Sequence, residues 1–518
     1  MNKDFLKDLK YDLPAGMVVF FVALPLCLGI ALASGAPIFS GLIAGIIGGI
    51  VVGSLSGSKV GVSGPAAGLT AVVLTSIESL GTFELFLSAV VIAGIFQIIF
   101  SMLKAGVIAY YFPSSVIKGM LTGIGVIIIL KQIPHALGYD ADLEGDLSFI
   151  QPDGHNTFSE LVYMLDYFTP GAILLSVTSL ALLVLWEQVL AKTHKIFTLI
   201  QGPIVVVFLG YFYQIFTAKY FPSLTLSPEH LVQVPVAESV DSFVGSLQFP
   251  NFSGLINSEV WLTAITIAVV ASLETLLCVE ATDKIDPHKR ITPTNRELFA
   301  QGVGNTISGL IGGLPITQVI IRSSANIQSG VRSKMSTVIH GFLLLISVLT
   351  IPNILNLIPF ASLAAILLIV GYKLAKPSLF IQIYKLDKGR FIAFVVTVLG
   401  VVLTDLLTGI GLGLVVAVIL ILKNSYSNSH FMHIKKVEDG RNTMNMTLAE
   451  EVTFLNKGAI LKELNSVPEG THLTIDATES YAIDYDIVEV LENFKNHAEE
   501  RDISVVLKTR EDLETADY

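Results

Sequence analysis

Glu274 stands in the middle of an apolar segment, IAVVASLETLLCVEA (267–281). A carboxyl at that depth costs roughly 3 kcal/mol on insertion scales, which makes it a functional candidate by default. Desolvation disfavours the charged form of a carboxyl, so a group here could take up and release a proton. The structural alternative is a buried acid hydrogen-bonded to Ser272 or Thr275. Two further stretches carry chemistry of another kind. Val62-Ser63-Gly64-Pro65, followed by Ala66, Ala67 and Thr70, reads as an extended run entering a helix. Ile321-Arg322-Ser323-Ser324, followed by Ala325, reads the same way. Pro65 suits a first helical turn, and Ser323 or Ser324 can cap one. A helix N-terminus offers free N–H groups and about +0.5 of an elementary charge, a ready anion site. Two such ends facing each other would hold an oxyanion without a fixed countercharge. The alternative is that Gly64, Ala66, Ala67 and Gly68 only permit close helix packing. Arg322 either raises the potential for an anion or pairs with an acid.

Other polar residues read more plainly. Glu280 lies nearer the interface and is solvated. Thr404 and Asp405 begin a turn that caps the last apolar helix near Gly409. Asn295, Arg296 and Glu297 are expected at the membrane surface, with Glu297 in a capping pattern. Gly302-Val303-Gly304 follows no strand, so a dinucleotide fold is not implied, and no Walker-type phosphate loop is present. Cys27 and Cys278 both lie in apolar helices and the ten histidines are scattered, so neither a disulfide framework nor a metal site is expected. No cofactor is expected beyond a co-transported proton or sodium ion, and without clustered ligands a metal-dependent hydratase is excluded. The chain is not read as an enzyme.

The elements that must position these groups are membrane spans. The 518 residues are 52% hydrophobic and 14% charged, with a mean hydropathy of +0.70. A soluble domain is typically about 25% charged. Apolar runs long enough to span a bilayer recur from Pro14 to Leu422, and Met1 to Asp12 has no signal-peptide cleavage pattern. About fourteen spans are expected. Seven lie near 14–34, 37–56, 64–80, 83–103, 113–136, 168–190 and 198–216. Seven more lie near 258–281, 296–313, 318–331, 335–351, 354–372, 390–408 and 409–424. The third and tenth are short and rich in small or polar residues. Paired interrupted spans at matching positions point to an inverted repeat, here 14–216 and 258–424, with its site at the midplane. Gly41, Gly45, Gly49 and Gly53 make a smooth ridge on span two for a close neighbour.

Charge orients the chain. Basic residues cluster before span one and after spans six, eight and twelve. The loop Tyr139 to Tyr167 has seven acids and no Lys or Arg, and Thr217 to Asn257 has only Lys219. By the positive-inside rule both termini are cytoplasmic, in a cell inner membrane. From Ser425 to Tyr518 there are 9 basic and 19 acidic residues, a net −10 of the chain's −11. That acidity argues against nucleic-acid binding. Strands are expected at 447–454, 471–476 and 503–508 and helices at 457–465 and 485–500, a small α/β domain. The expected fold is thus an all-α polytopic membrane domain, 1–424, with a cytoplasmic α/β domain, 425–518.

Five stretches, VSGPAAGLTAVV (62–73), SLETLL (272–277), NRELFAQGVGNTISGLIGGLP (295–315), IRSSANIQSG (321–330) and TDLLTGIGLG (404–413), together resemble the SulP family of inorganic-anion transporters. The tail resembles a STAS domain. The resemblance implies a core and gate built from two intertwined seven-helix repeats, carriage of sulfate, bicarbonate or a similar anion, and a homodimer. It places Glu274 facing the substrate site, where sodium-coupled bicarbonate relatives have Asp. The STAS-like tail implies a cytoplasmic protein partner. Leu26 and Ile30 in LPLCLGIA (24–31) stand where many sulfate-carrying relatives have Gln and Tyr, and so resemble the bicarbonate branch. Tyr485 and Asp486 stand where phosphorylated relatives carry serine.

The leading expectation is a secondary transporter of bicarbonate or sulfate driven by a cation gradient through Glu274. The substrate set is Gly64, Pro65, Ala66, Ala67, Thr70, Arg322, Ser323, Ser324 and Ala325. The rivals are an uncoupled channel or exchanger, a nucleobase permease of the same architecture and a signalling protein centred on the tail. A channel gains nothing from a mid-span acid, and a permease would present carboxylates from two helices where this chain has Arg322 and serines. Orientation is directly testable. Cysteines introduced at 140–160 are expected to label from outside intact cells and those at 284–290 only after lysis. The reverse pattern would overturn the topology.

Overall fold

The computed structural model describes residues 3–140, 149, 156–193, 197, 201–233, 245, 247–427, 430–436 and 442–508. The chain forms two compact units, Met1–Leu414 and Val415–Tyr518.

Each of the fourteen expected spans coincides with a helix. In the first half these are α1 (Lys3–Ala33), α2 (Ile38–Ile47, continued by a wider turn Gly48–Val52 and a last turn Gly53–Leu55), α3 (Thr70–Leu80), α4 (Phe83–Met102), α5 (Ser114–Leu137), α6 (Pro170–Leu185) and α7 (Gly202–Tyr220). The second half has α8 (Ser258–Ile285), α9 (Thr294–Leu310), α10 (Ile320–Gln328), α11 (Met335–Thr350), α12 (Phe360–Leu374), α13 (Lys388–Leu403) and α14 (Leu406–Ser427). Among the described residues nine helices are long and apolar enough to cross a bilayer. The shortest is α10, with nine residues. At 1.5 Å per residue it cannot cross a core of about 30 Å by itself.

The halves interleave. Helix α1 packs on α11, α4 on α8 and α9, and α5 on α12 and α13. The α2–α11 crossing needs bare backbone. A Cβ on Gly49 would lie 2.5 Å from the Gly341 Cα, and one on Gly341 would lie 2.7 Å from the Ile50 nitrogen. The expected glycine ridge is therefore a helix contact of the small-residue type. Asp405 caps α14 by accepting from the Thr408 N–H at 2.9 Å.

Between the helices lies a two-stranded antiparallel ribbon. Strand β1 (Ser63–Pro65) pairs with β2 (Ile316–Gln318) in the register Ser63↔Gln318, Gly64↔Thr317, Pro65↔Ile316. Each strand runs straight into a broken helix, β1 into α3 and β2 into α10.

The second unit carries a four-stranded sheet in the order β3 (His430–Lys436), β4 (Asn442–Leu448), β6 (His472–Asp476), β8 (Ser504–Lys508). Its first pair is antiparallel and the others parallel. The short strands β5 (Glu451–Val452) and β7 (Ala482–Ile483) pair separately. Helices α15 (Lys457–Asn465) and α16 (Tyr485–Ala498) cover a core that includes Met446, Leu473, Ile475, Ile487 and Leu491. A small α/β domain is what the tail's alternation implies. The strand β3 was not expected, and the first expected strand, 447–454, resolves into β4 and β5. Asp484 caps α16.

One buried acid joins the end of α5 to the segment around His230. Asp140 accepts from His135 Nδ1 at 2.5 Å and from His230 Nδ1 at 2.6 Å. The neighbouring Leu231 bridges to Pro359 at the start of α12. Burial alone would raise the Asp140 carboxyl, but the two histidine bonds outweigh it and hold it below its ordinary value. The hydrogen bond to Asp140 raises His230, against burial. The Asp140 contribution is present above the unfolded value of 3.8 and fades as pH falls through its lowered value. The His230 contribution is full below 6.5 and fades as pH rises through its raised value. The clamp is therefore tightest between about pH 4 and 6.5. Amide-exchange protection of segment 226–233, taken as wild type minus Asp140→Asn, should peak in that window and shrink toward alkaline pH. A difference that is flat in pH would show that the histidine charges do not contribute.

Candidate anion site at the broken helices

The ribbon puts the two helix starts together. After Pro65, Ala66 is still extended (φ −91°, ψ 113°), a 3-10 turn covers Ala67–Leu69, and α3 begins at Thr70. After Gln318, Val319 is extended (φ −115°, ψ 130°) and α10 begins at Ile320, so Ile321–Ser324 are already helical and neither serine caps the helix. Because the strands are antiparallel, the helices leave in opposite directions with both N-termini on the ribbon. The first N–H groups of a helix have no intrahelical acceptor, so both positive ends converge at the break.

Side chains hold this arrangement. Ser323 Oγ accepts from the Val62 N–H at 2.9 Å and donates to the Val319 carbonyl at 2.7 Å. Thr70 Oγ1 donates to the Ala67 carbonyl at 2.8 Å. Both hydroxyls thus have structural partners within the site. Ser324 differs. Its residue is 1% exposed and its Oγ has no hydrogen-bond partner among the described residues. Ala325, one position on, is 2% exposed.

Arg322 is also buried, at 1% exposure. Its guanidinium packs against Gly64, where a Cβ would clash with Nη1. The Cys27 thiol and the His340 ring are beside it. No acid forms an ion pair with Arg322 among the described residues, and neither Nη1 nor Nη2 meets an acceptor oxygen there. Of the two readings of this arginine, pairing with an acid gains no support. A cation without a counter-ion remains directly behind β1.

Glu274 is 3% exposed and reaches the same break from α8. The carboxylate lies against Gly68, inside the 3-10 turn at the start of α3. A Cβ on Gly68 would lie 3.0 Å from Glu274 Oε1, so the approach needs glycine. Glu274 Oε2 has no hydrogen-bond partner. The alternative partners suggested by sequence are engaged elsewhere. Ser272 Oγ accepts from Gln97 Nε2 at 3.3 Å, and Thr275 Oγ1 accepts from the Gln318 N–H at 3.3 Å. The Glu274 carboxylate therefore sits on the positive end of α3.

Helix α9 supplies residues that sequence reasoning missed. Asn305 meets Ile316 on both sides, accepting from its N–H at 2.6 Å and donating to its carbonyl at 3.0 Å. Gln301 Nε2 donates to Ser63 Oγ at 2.7 Å. Glu297 corrects the reading of it as a surface cap. It is 1% exposed and accepts from Ser56 Oγ and from Gln301 Nε2. The signal was present as polar residues at i, i+4 and i+8 along one helix face.

A cavity of about 280 Å³ opens near the site, lined by residues that include Val18, Ala325, Ser329, Ile366, Glu187 and Lys373. It touches the second half of α10 at Ala325 and Gln328. Among the described residues no group of three His, Cys, Asp or Glu could hold a metal ion.

Residues 9–397 match the model of the sulfate permease family. The chain is 30% identical over 427 residues to YvdB of Bacillus subtilis, covering 81% of this chain and 74% of that one. It is 27% identical over 468 residues to the bicarbonate transporter BicA of Picosynechococcus, covering 88% and 77%. In three dimensions it is similar to the transmembrane domain of a cyanobacterial BicA, with a TM-score of 0.55, 24% identity and coverage of 81% and 98%. It is similar also to SLC26A9, with a TM-score of 0.67, 16% identity and coverage of 97% and 84%. The broken-helix break thus lies in a membrane fold shared with both, and the chain belongs to the sulfate permease family, whose members are transporters and not enzymes.

Proposed function

We propose that the chain is a secondary transporter that moves a small inorganic oxyanion, sulfate or bicarbonate, together with a proton carried by Glu274. One observation carries this reading: the buried Glu274 carboxylate lies against Gly68, at the helix end where an anion would bind. Carboxylate and cargo compete for one positive end. Protonating Glu274 removes the competing charge and frees that end, so anion and proton favour each other's binding, a reciprocal coupling. Release of the proton returns the carboxylate to Gly68 and expels the anion. The unpaired guanidinium of Arg322 keeps the break attractive to anions throughout.

A proton suits this carboxyl better than sodium does. A hard cation is held by a shell of oxygen donors. Here the Glu274 carboxylate lies against the backbone of Gly68 and near the thiol of Cys278, one helical turn along. The nucleobase-permease alternative loses ground, because α10 brings Arg322 and serines to the break rather than a second carboxylate. The same reading includes fourteen spans as two inverted sets of seven, cytoplasmic termini, a STAS-like tail and a homodimer.

Two substitutions test the site. Ser324→Ala removes one hydroxyl worth about 1 kcal/mol and should weaken uptake by only several-fold. Ser324→Glu puts a fixed negative charge beside the cargo and should abolish uptake while the protein still reaches the membrane. Normal transport by Ser324→Glu would place the anion elsewhere. Glu274→Gln keeps the size and removes the charge. In proteoliposomes, proton-driven accumulation of labelled sulfate or bicarbonate should collapse, while exchange of anion for anion survives. Unchanged accumulation, with the same response to imposed proton and sodium gradients, would make Glu274 structural.

A further inference from the structure

The cavity beside α10 has a charged rim that the broken-helix site does not use. Lys373, in the last turn of α12, pairs with Glu187, in the wide turn that continues α6; Nζ and Oε2 are 2.7 Å apart. Both side chains line the cavity, and they are the charged residues among its described lining. Ala325 and Gln328, in the second half of α10, line the same cavity, and Ala325 is next to Ser324.

We infer that Lys373 is a transient docking point for the transported anion and that Glu187 is its built-in stand-in. The inference rests on the anion-transport reading above. The pair is poised for exchange. The side chains are 27% and 52% exposed and stand in the last turns of their helices, and where water reaches such a pair it is worth at most about 1 kcal/mol. An incoming oxyanion offers Lys373 the same chemistry as the Glu187 carboxylate, oxygens bearing negative charge. The anion displaces Glu187, is held at the rim, and moves on toward α10 when Glu187 returns. A lone lysine at the mouth would concentrate anions but also retain them. The neighbouring carboxylate limits that retention.

The charge logic makes the two single substitutions act in opposite directions. Inside-out and right-side-out membrane vesicles separate the two faces, with labelled sulfate or bicarbonate as the probe. Lys373→Met should raise the half-saturating concentration on the basic face by about three- to tenfold, the scale of one partly screened unit charge. Glu187→Gln should lower it by a comparable factor, and the double variant should resemble Lys373→Met. Half-saturation on the opposite face should stay at the wild-type value. All these differences should shrink when ionic strength is raised with a bulky, non-transported salt. A pair that only braces α6 against α12 predicts otherwise, with both variants losing protein or shifting in the same direction. That result, or no shift in either, overturns the docking role. Wild-type vesicles without any saturable anion flux would instead overturn the transport reading itself.

Discussion

Inside a bilayer no water is available to a peptide N–H or C=O, so a chain that leaves helical geometry must satisfy those groups from within. Here the chain leaves it twice, at 63–66 and at 316–319, and the two departures solve the problem for each other by pairing as a ribbon. What pairing leaves over is taken up by side chains. Asn305 completes Ile316, Ser323 completes Val62, and Asn326 Nδ2 donates to the Val60 carbonyl at 2.9 Å. The helix ends that open from the ribbon cannot be satisfied this way, since their first N–H groups lack internal acceptors. Glu274 lies against one of these ends, at Gly68, and the proposed anion site is the other consequence of the same backbone constraint.

The same constraint explains the rigidity around the site. Small residues let α2, α11 and the ribbon approach at backbone distance, with Gly49 against Gly341 and Gly48 against the Ser63 carbonyl. Helix α9 clamps both strands from one face through Gln301 and Asn305. A carrier needs both properties. Its binding elements must hold a fixed geometry while the assembly around them moves, and helices packed without large side chains can slide as units.

Much of this was legible in the residues. Long apolar runs announced the spans, and Glu274 stood out because an acid is costly in such a run. The motif VSGPAAG announced a strand-to-helix break because glycine and proline are strong local punctuation. The pairing of that break with 316–318 was not legible, since it joins segments some 250 residues apart and no local pattern encodes a register. Glu297 misled for a related reason. The run TNRE is a good local cap, yet the fold buries that acid against Ser56 and Gln301. The local pattern was real and tertiary packing overrode it. The site hydroxyls divide likewise. Nothing in Ser323-Ser324 says which one closes the ribbon and which stays unpaired, because the answer depends on which side of α10 meets Val62.

The central claim is that anion and Glu274 carboxylate exclude each other from one helix end. The most direct measurement is the half-saturating concentration of labelled sulfate in equilibrium exchange, taken as a function of pH with no gradient across the liposome. Sulfate keeps its charge across the neutral range, so any pH dependence belongs to the protein. The account predicts that wild-type affinity weakens as pH rises through the Glu274 titration, and that Glu274→Gln binds sulfate tightly at every pH. An affinity that does not change with pH in the wild type, or that changes equally in Glu274→Gln, would contradict it.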